Sequence, residues 1–359
     1  VNKMDRENVN VNRVISSINN NLDGNFINLQ LPIGEGNTFT GVVDLINLET
    51  HTENGKKGSI PDDMADAIEE ARVELVEVAA EGNDDLLMMY LEGEELSNED
   101  IITGLKAAMH QGAAVPIVYC APEKGIGVSA LMDILGLIMP APNEVEVEAT
   151  NAAAEEVSLE VNDAGPLAAF IFKTREDPYG KTSYIRVFSG ILESDNRAWS
   201  AELDSEVRIG TLHIVTGKET EAIPRLHSGD IGSVVKLGDV QTNDTLCDRG
   251  HVLSIESIVQ PNPIASVAVH PVSQSDVAKL NQSLNRLVTE DPTLSWHNEK
   301  STRQTILSGM GTTHLDIAVK KAESKFGVNL TTTTPKVPYR ETITKTNAAE
   351  YTHKKQTGG

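Results

Sequence analysis

Apolar residues in the first 143 positions recur with two periods, one helical and one extended. After Pro61 they return at steps of three and four, which predicts the buried stripe of an amphipathic helix: Met64, Ile68, Ala71, Leu75 and Val78. The helical period also predicts helices over 9–22, over 98–111 and from Val128 onward, and short apolar runs predict strands over 26–33, 40–48 and 115–120. Strands that alternate with helices favour an α/β layer with a parallel sheet.

The pattern changes after residue 143. Residues 144–165 are acidic, poor in large apolar side chains and flanked by prolines, so we predict an inter-domain linker there. Residues 166–262 show short β segments separated by the turn formers "DPYG", "TGKE" and "HSGD", with no helical stripe between them. This region is predicted to be a small closed β-barrel.

Residues 263–336 predict a third arrangement. Two helical stripes, one beginning at Asp276 and one running through "HLDIAVKKAESKF", alternate with four strand-like segments in the order β-α-β-β-α-β. This is the order of the ferredoxin-like split unit. Residues 337–359 begin a further domain without completing it. The predicted fold class is therefore multidomain: α/β, then all-β, then α+β.

Charge and composition narrow the class of protein. The formal net charge of −23 argues against general nucleic-acid binding, yet residues 300–359 carry ten basic and four acidic residues. That end of the chain could face a polyanion, and the alternative is a solvated basic terminus. Two widely spaced cysteines, Cys120 and Cys247, indicate structural thiols in a reducing compartment, and no apolar run is long enough to span a membrane. We therefore expect a cytoplasmic protein.

The tetrapeptide Asn2-Lys3-Met4-Asp5 fits the N-K-x-D pattern that selects guanine in GTP-binding proteins. A carboxylate at Asp5 can accept two parallel hydrogen bonds from the N1–H and the exocyclic amine of guanine, a donor pair that adenine lacks. We expect Lys3 to lay its aliphatic stem along the base, and Asn2 to brace the loop and reach the base edge. The signal alone is weak, because such a tetrapeptide arises by chance in roughly one chain in twenty.

A second segment is predicted to complete this site. A strand ends at Cys120-Ala121-Pro122 and a glycine-containing loop leads into the next helix, so that the Ala121 N–H could donate to the guanine O6. The alternative is an ordinary strand-to-helix connection with Cys120 as a core thiol. No catalytic residue and no metal site are predicted. The glycine-rich segments fit neither phosphate-binding pattern, no serine lies in G-x-S-x-G, and no histidine pair has ligand spacing.

Ten segments resemble one family and follow its order: "NKMDREN", "FTGVVDLI", "VPIVYCAPEKGIGVSALMDIL", "GPLAAFIFKT", "DPYGKTSYIRVFSG", "GDIGSVVKLGDVQTNDTLC", "TEDPTL", "QTILSGMGTTHLDI", "TPKVPYRETI" and "YTHKKQTGG". They are similar to bacterial translation elongation factor G and the elongation factor G-like proteins, which are translational GTPases. The resemblance covers essentially the whole chain. It implies that residues 1–143 are the C-terminal half of a P-loop GTPase domain with an inserted subdomain at about 26–110. The second domain (166–262), the third (263–336) and the start of the fourth (337–359) would follow.

The resemblance also implies a function. The parent protein would promote GTP-dependent translocation of tRNA and mRNA on the ribosome, as a cytoplasmic monomer that uses GTP or GDP with Mg²⁺. His353, Lys354 and Lys355 would contact ribosomal RNA. The family's phosphate-binding loop, switch segments, Mg²⁺ ligands and catalytic His of the D-x-P-G-H motif have no counterpart in these residues. We therefore expect an internal fragment that does not hydrolyse GTP.

The chain departs from the family at two places. The family usually carries Ser-Ala where this chain has Cys120-Ala121, and Glu-Leu where it has Thr312-Thr313. The first change keeps a small side chain, and the second is expected to alter how the third domain meets the GTPase domain. Within the family, the parent could instead be a paralogue acting in ribosome disassembly and recycling or in ribosomal protection. A non-catalytic ribosome-binding module is the alternative from another class.

Overall fold

A computed structural model describes residues 1–177 and 180–352 of the chain. It divides the chain into two units, Val1–Val145 and Glu146–Gly359. The first unit mixes helices with short strands, whereas the second begins with strands and ends in a mixed α+β fold.

The first unit contains five α-helices and six strands. The helices are α1 (Val11–Asn21), α2 (Ala65–Glu81), α3 (Asp84–Leu91), α4 (Asn98–His110) and α5 (Val128–Ile138). The strands are β1 (Phe26–Asn28), β2 (Gln30–Ile33), β3 (Gly41–Asp44), β4 (Glu49–Thr52), β5 (Lys57–Gly58) and β6 (Val115–Ile117). Short 3₁₀ turns, among them 62–64 and 122–124, connect several of these elements.

The predicted amphipathic stripe forms helix α2 and faces the core of the first unit. Ile68 and Leu75 are buried, and Met64, Ala71 and Val78 pack against the same cluster from its edge. The other predicted helices of this unit are confirmed as α1, α4 and α5, with ends within two residues of those expected. Helix α3 is an addition, because two turns of helix are too short to show a clear period.

Helices α2 and α4 approach so closely that their crossing requires glycines. A Cβ on Gly104 would lie 2.0 Å from the carbonyl oxygen of Ala79, and a Cβ on Gly82 would lie 2.2 Å from that of Gly104. Both overlaps involve backbone atoms, so no side-chain movement can relieve them. Ser97 and Asp100 form a capping box at the start of α4, which satisfies backbone N–H groups of its first turn.

Antiparallel strands dominate the first unit, which corrects the predicted parallel layer. Strands β2, β3, β4 and β5 form an antiparallel sheet in that order, and β1 with β6 is the only parallel pair among the described strands. The physical reason is connection length, because short turns bring consecutive strands together only in antiparallel pairs. Leu29, Val43 and Leu45 of this region enter the same core cluster as the buried residues of α2 and α4.

Residues 144–165, predicted as a linker, are folded. Val147–Asn151 forms β7 and Glu156–Leu159 forms β8, and both join an antiparallel three-stranded sheet with the later strand β19 (Leu253–Ile255). Four alternating apolar residues pack in one cluster: Val147, Ala149, Val157 and Leu159. Glu148 lies between the first two, and Glu156 and Glu160 flank the second two, so the acidic composition conceals the two-residue period of the strands.

The β domain predicted to follow is confirmed as an antiparallel fold. Its strands are β9 (Ala168–Asp177), β10 (Gly180–Ser189), β11 (Leu192–Glu193), β12 (Arg197–Ser200), β13 (Ser205–Arg208), β14 (Leu212–Thr216), β15 (Glu219–Ile223), β16 (Arg225–Leu226), β17 (Ile231–Val235) and β18 (Thr245–Cys247). Eight of them form one sheet in the order β13-β12-β18-β9-β10-β17-β14-β15, and β11 pairs with β16. Instead of the predicted closed ring, the described strands leave β13 and β15 as edges. Buried side chains such as Ile171, Ile185 and Val234 form the core.

The last part of the second unit has the predicted β-α-β-β-α-β order. Its elements are β20 (Ala265–Pro271), α6 (Gln274–Glu290), β21 (Ser295–Glu299), β22 (Gln304–Gly309), α7 (Thr312–Phe326) and β23 (Leu330–Thr333). The strands form an antiparallel sheet in the order β21-β22-β20-β23. Leu284 of α6 and Ala322 of α7 are fully buried in the cluster that this sheet covers. The predicted α+β fold is therefore confirmed.

His314 lies inside this α+β fold, between the Met310 backbone and the Asp291 side chain. Its Nδ1 accepts the Met310 N–H at 3.1 Å, which places the proton of the neutral ring on Nε2, 2.9 Å from Asp291 Oδ2. Burial raises the pKa of Asp291, but hydrogen bonds from Thr293 and His314 outweigh it and leave that pKa below its ordinary value. Thr312 begins α7 just before this pair, at the place where the chain departs from the family pattern.

Glu290, the last residue of α6, ties the α+β fold to strand β9. Its carboxylate lies 2.6 Å from Lys325 Nζ and 3.3 Å from Lys321 Nζ, and it also accepts the Glu176 N–H at 3.3 Å. Burial raises the pKa of Glu290, but the two lysines outweigh it and hold that pKa below its ordinary value. The side chain is 15% exposed, so the pairs are partly shielded from solvent.

Asp163 makes a comparable connection on the surface of the β domain. Its Oδ2 lies 2.7 Å from His227 Nδ1, and its Oδ1 accepts hydrogen bonds from the N–H and the hydroxyl of Ser228, both at 2.9 Å. The contact with His227 and the two bonds from Ser228 lower the pKa of Asp163 to about 2. The carboxylate thereby fastens the segment before β9 to the "HSGD" turn.

Candidate guanine-recognition site

Two segments 117 residues apart in sequence meet in the first unit. The Val1 amino group donates to the Val118 carbonyl at 2.5 Å, and the Cys120 N–H donates back to the Val1 carbonyl at 2.9 Å. The Met4 N–H then donates to the Cys120 carbonyl at 3.2 Å. The Met4 side chain is 1% exposed and packs in the same core cluster as Tyr119. The loop after Val1 is thus fixed against the loop after Tyr119.

Asn2 stabilises the turn that carries the predicted base-reading residues. Its Oδ1 accepts the Lys3 N–H at 2.6 Å and lies 3.8 Å from Cys120 Sγ. Lys3 has a φ of 62°, in the left-handed region that residues with a Cβ seldom adopt. The hydrogen bond that Asn2 accepts from the Lys3 N–H helps to hold Lys3 in that conformation. Contact between Asn2 and a guanine edge stays a prediction.

A cleft of about 240 Å³ opens between the two loops. Six residues line it: Asn2, Lys3, Asp5, Arg6, Pro122 and Glu123. This volume is below the roughly 300–1,000 Å³ of sites that enclose drug-sized ligands, so it suits a single base better than a whole nucleotide. The Asp5 side chain is 11% exposed, and Lys124 Nζ lies 4.0 Å from its Oδ2. The cleft therefore offers one shielded carboxylate to a small planar ligand.

Arg6 and Glu123 connect the two sides of the cleft. Nη2 of Arg6 lies 3.0 and 3.2 Å from the two carboxylate oxygens of Glu123. The side chains are 56% and 74% exposed, so the pair contributes no more than about 1 kcal/mol to stability. Its effect is geometric, because it links the loop that carries Asp5 to the loop that carries Pro122. The sequence predicts neither residue for the site, since opposite charge alone does not indicate which residues meet.

The Ala121 N–H does not point to a base, which corrects the predicted contact with O6. It donates to the Ile126 carbonyl at 2.9 Å, and the Ile126 N–H donates back to the Ala121 carbonyl at 3.2 Å. This turn is tight: Gly127 has a φ of 76°, and a Cβ there would lie 2.3 Å from the Tyr119 carbonyl oxygen. The amide is therefore needed to close the turn. Pro122 has no N–H and supplies a wall of the cleft.

Tyr119 and Cys120 support the cleft from behind. Tyr119 is 1% exposed, its hydroxyl donates to Asn28 Oδ1 at 2.7 Å, and burial raises its pKa to about 12. The phenol therefore stays protonated and serves as a structural donor. Cys120 is 9% exposed, so its thiol is part of the core and also touches the site through Asn2. Cys120 is therefore a core thiol beside the cleft, and its part in guanine recognition stays a prediction.

The remaining predicted sites concern RNA, metal and membrane. His353, Lys354 and Lys355 lie outside the described residues. Within 1–177 and 180–352, no three His, Cys, Asp or Glu side chains are arranged to hold a metal ion. The helices of the same residues include none with the length and apolar character that crossing a membrane requires.

Two family comparisons agree with the folds of the second unit. Residues 166–249 match elongation factor G domain 2, and residues 260–334 match elongation factor G, domain III. These two parts of the chain, the antiparallel β domain and the α+β fold, are therefore the second and third domains of elongation factor G. The cleft lies outside both matched ranges, so its interpretation depends on its own geometry.

A solved structure is similar to a larger part of the chain. A crystal structure of a protein from Thermus thermophilus has 27% sequence identity and a TM-score of 0.79 and covers 95% of this chain. The chain spans 49% of the length of that protein, or about half. The likeness extends over the first unit as well as over the two matched domains.

Proposed function

We propose that the chain is the guanine-reading and ribosome-facing part of a GTPase that promotes translocation of tRNA and mRNA on the ribosome. The observation that carries the proposal is that Asp5 lies with Pro122 and Glu123 in one cleft of about 240 Å³. A shielded carboxylate in a base-sized cleft favours guanine, because adenine would leave both carboxylate oxygens of Asp5 without hydrogen-bond donors. The two elongation factor G domains that follow support a role in translation.

Each lining residue has a distinct part in this recognition. Asp5 accepts hydrogen bonds from the guanine N1–H and exocyclic amine, and Lys3 covers one face of the base with its aliphatic stem. Lys124 does not compete strongly, because at 4.0 Å its ammonium is too far from Asp5 for a good hydrogen bond. Asn2 stabilises its own loop, and the ion pair between Arg6 and Glu123 holds the two loops at the separation that the base requires.

Phosphate chemistry requires residues of another kind. In P-loop enzymes a Lys, a nest of backbone N–H groups and Mg²⁺ stabilise the charge on the transferred phosphoryl group. Residues 1–359 contain no G-x-x-x-x-G-K-[ST] sequence. We therefore propose that this chain reads the base, and that GTP turnover depends on phosphate-binding residues that it does not carry.

Equilibrium dialysis with nucleosides tests the base-reading role. Guanosine and adenosine carry no phosphate, so they report on the base alone. Guanosine should bind at least about tenfold more tightly than adenosine, because the shielded Asp5 loses two hydrogen bonds with adenine. Equal affinities would refute the assignment.

Co-sedimentation with 70S ribosomes tests the second part of the proposal. The chain should sediment with ribosomes and should add no GTP turnover to theirs. Sedimentation combined with equal affinity for the two nucleosides would instead favour a non-catalytic ribosome-binding module. GTP turnover that depends on the chain would contradict a role limited to the base.

A further inference from the structure

A second cleft, of about 300 Å³, lies on the β domain, far in sequence from the guanine-recognition cleft. Strands β9, β10, β17, β14 and β15 are consecutive in the sheet and each contributes to its lining. Six residues define its chemistry: Arg175, Tyr184, His213, Lys218, Thr220 and Ser233. The matched family models describe the domain but assign no ligand to this cleft.

The strand register places these side chains in adjoining rows. Tyr184 of β10 lies opposite Ser233 of β17, and Ser233 lies opposite His213 of β14. On the other side, Tyr184 pairs with Lys173 of β9, whose Nζ is 6.0 Å from the centre of the Tyr184 ring. Arg175 lies two residues further along β9, on the same face as Lys173. An aromatic ring is thus surrounded by cationic and hydroxyl groups.

The charge of this cleft is opposite to that of the protein. The chain carries a net charge of −23, yet Arg175, Lys218 and His213 line the cleft and no Asp or Glu is among its described lining residues. Glu219 and Glu221 flank Thr220 on β15, but alternation along the strand directs them to the other face. The cleft is therefore a local positive site that attracts anions.

His213 gives an independent sign that a ligand belongs here. Its Nδ1 is buried from solvent and has no hydrogen-bond partner in the part of the chain that the structure describes. A buried polar atom without a partner is costly, so such atoms in native proteins usually meet a water, an ion or a ligand. The Ser233 side chain opposite it is 2% exposed, so both line the deep part of the cleft.

We propose that this cleft binds a nucleotide phosphate, with the attached base stacked on Tyr184. Arg175 and Lys218 pair with the phosphate oxygens, and Arg can do so through two parallel hydrogen bonds. His213 and Ser233 complete the hydrogen bonds to the phosphate or the ribose. Stacking on an aromatic ring with neighbouring cations is the usual way in which proteins hold a base without reading its sequence. The site is independent of the guanine-recognition cleft.

Isothermal titration of the full chain with adenosine 5′-monophosphate tests the phosphate part. Adenine avoids the guanine-recognition cleft, so failure of that site does not affect this result. The doubly substituted chain Arg175→Gln, Lys218→Gln should bind the nucleotide about tenfold more weakly, because two solvent-exposed ion pairs, each worth roughly threefold in affinity, are lost. The matched control Arg208→Gln, Arg225→Gln removes the same charge from exposed positions of the same domain outside the cleft.

The control should bind within about twofold of the unchanged chain, because screening limits the influence of distant surface charges. An equal loss of affinity in both doubly substituted chains would mean that only net charge matters, and it would overturn the proposal. A dissociation constant for the unchanged chain weaker than about 10 mM would also overturn it. Thermal unfolding of all variants confirms that the comparison is between folded proteins.

A third variant separates the base from the phosphate. Tyr184→Leu should lower the affinity for adenosine 5′-monophosphate at least about fivefold, since stacking contributes about 1–3 kcal/mol per base. The affinity for inorganic phosphate should not change. An equal effect on both ligands would refute the stacking. Titration with a 5′-phosphorylated tetra-adenylate tests whether the natural ligand is an RNA strand or a free nucleotide. Binding that is tighter and more salt-sensitive than that of adenosine 5′-monophosphate would identify an RNA strand, and equal affinity would identify a free nucleotide.

Discussion

Replacing Asp5 by asparagine should reverse the base preference of the guanine-recognition cleft. The carboxylate offers two acceptor oxygens, which match the N1–H and the exocyclic amine of guanine. In Asp5→Asn one acceptor becomes an NH₂ donor, which faces the guanine amine and cannot bond to it. Xanthine has a carbonyl oxygen where guanine has that amine. The donor and acceptor of the variant therefore match xanthine.

The size of the effect follows from the shielding of Asp5, whose side chain is 11% exposed. A hydrogen bond to a charged group contributes about 1.5–3 kcal/mol, and water cannot easily replace it at a shielded position. Losing one such bond should lower guanosine affinity roughly 10- to 150-fold. Aspartate and asparagine have nearly the same shape, so the free energy of unfolding should change by less than about 1 kcal/mol.

Equilibrium dialysis against guanosine, adenosine and xanthosine measures all three affinities on one sample. Asp63→Asn is the matched control, because Asp63 is exposed on the 62–64 turn, does not line the cleft and loses the same charge. A folded Asp5→Asn variant that keeps the guanosine-to-adenosine affinity ratio of the unchanged chain would refute this role of Asp5. An equal shift of that ratio in Asp63→Asn would refute it as well.

Three further predictions concern packing and charge. Gly104→Ala should destabilise the first unit by about 1–3 kcal/mol, because its Cβ would overlap the Ala79 carbonyl. The control Gly136→Ala, where a Cβ meets nothing within 4 Å, should be neutral or stabilise by up to about 1 kcal/mol. Equal melting temperatures for the two variants would contradict this prediction. Glu290→Gln should cost the second unit about 1–3 kcal/mol in urea unfolding, and the exposed control Glu323→Gln less than about 0.5 kcal/mol. The pKa of Asp163 is about 2 in the folded chain against an ordinary 3.8, so its stabilising effect is complete above pH 3.8 and is lost as the pH falls toward 2. Asp163→Asn should remove this part of the dependence of unfolding free energy on pH. An unchanged dependence in the variant would count against the prediction.

Local periodicity predicts much of the fold. The stripe from Met64 to Val78 predicts helix α2 because each of its residues is buried or half-buried on one face. Strands β7 and β8 escape prediction because Glu148 and Glu156 occupy solvent-facing positions beside small apolar residues, so the segment has the composition of a linker. Composition averages over both faces of a strand, whereas burial acts on one face at a time.

The candidate site, like the fold, can be predicted from the sequence only in part. The chemistry of Asn2, Lys3 and Asp5 can be inferred from residue types alone, and their meeting with Pro122 agrees with the predicted second segment. The engagement of the Ala121 N–H cannot be inferred, because it depends on how tightly the following turn closes. Backbone closure and long-range ion pairs are properties of three-dimensional geometry, and no local pattern encodes them.

The guanine-recognition cleft depends on a contact between two residues that are far apart in sequence, Val1 and Cys120. Bringing these segments together closes a long loop, at an entropic cost that only the packing of the intervening chain can offset. Guanosine should therefore bind the folded first unit and not its unfolded ensemble, and binding should raise the melting temperature of that unit alone. The ligand then reports the integrity of the whole segment between the two loops. A defect such as Gly104→Ala, which touches no base, would appear in a nucleoside titration as a reduced fraction of competent molecules.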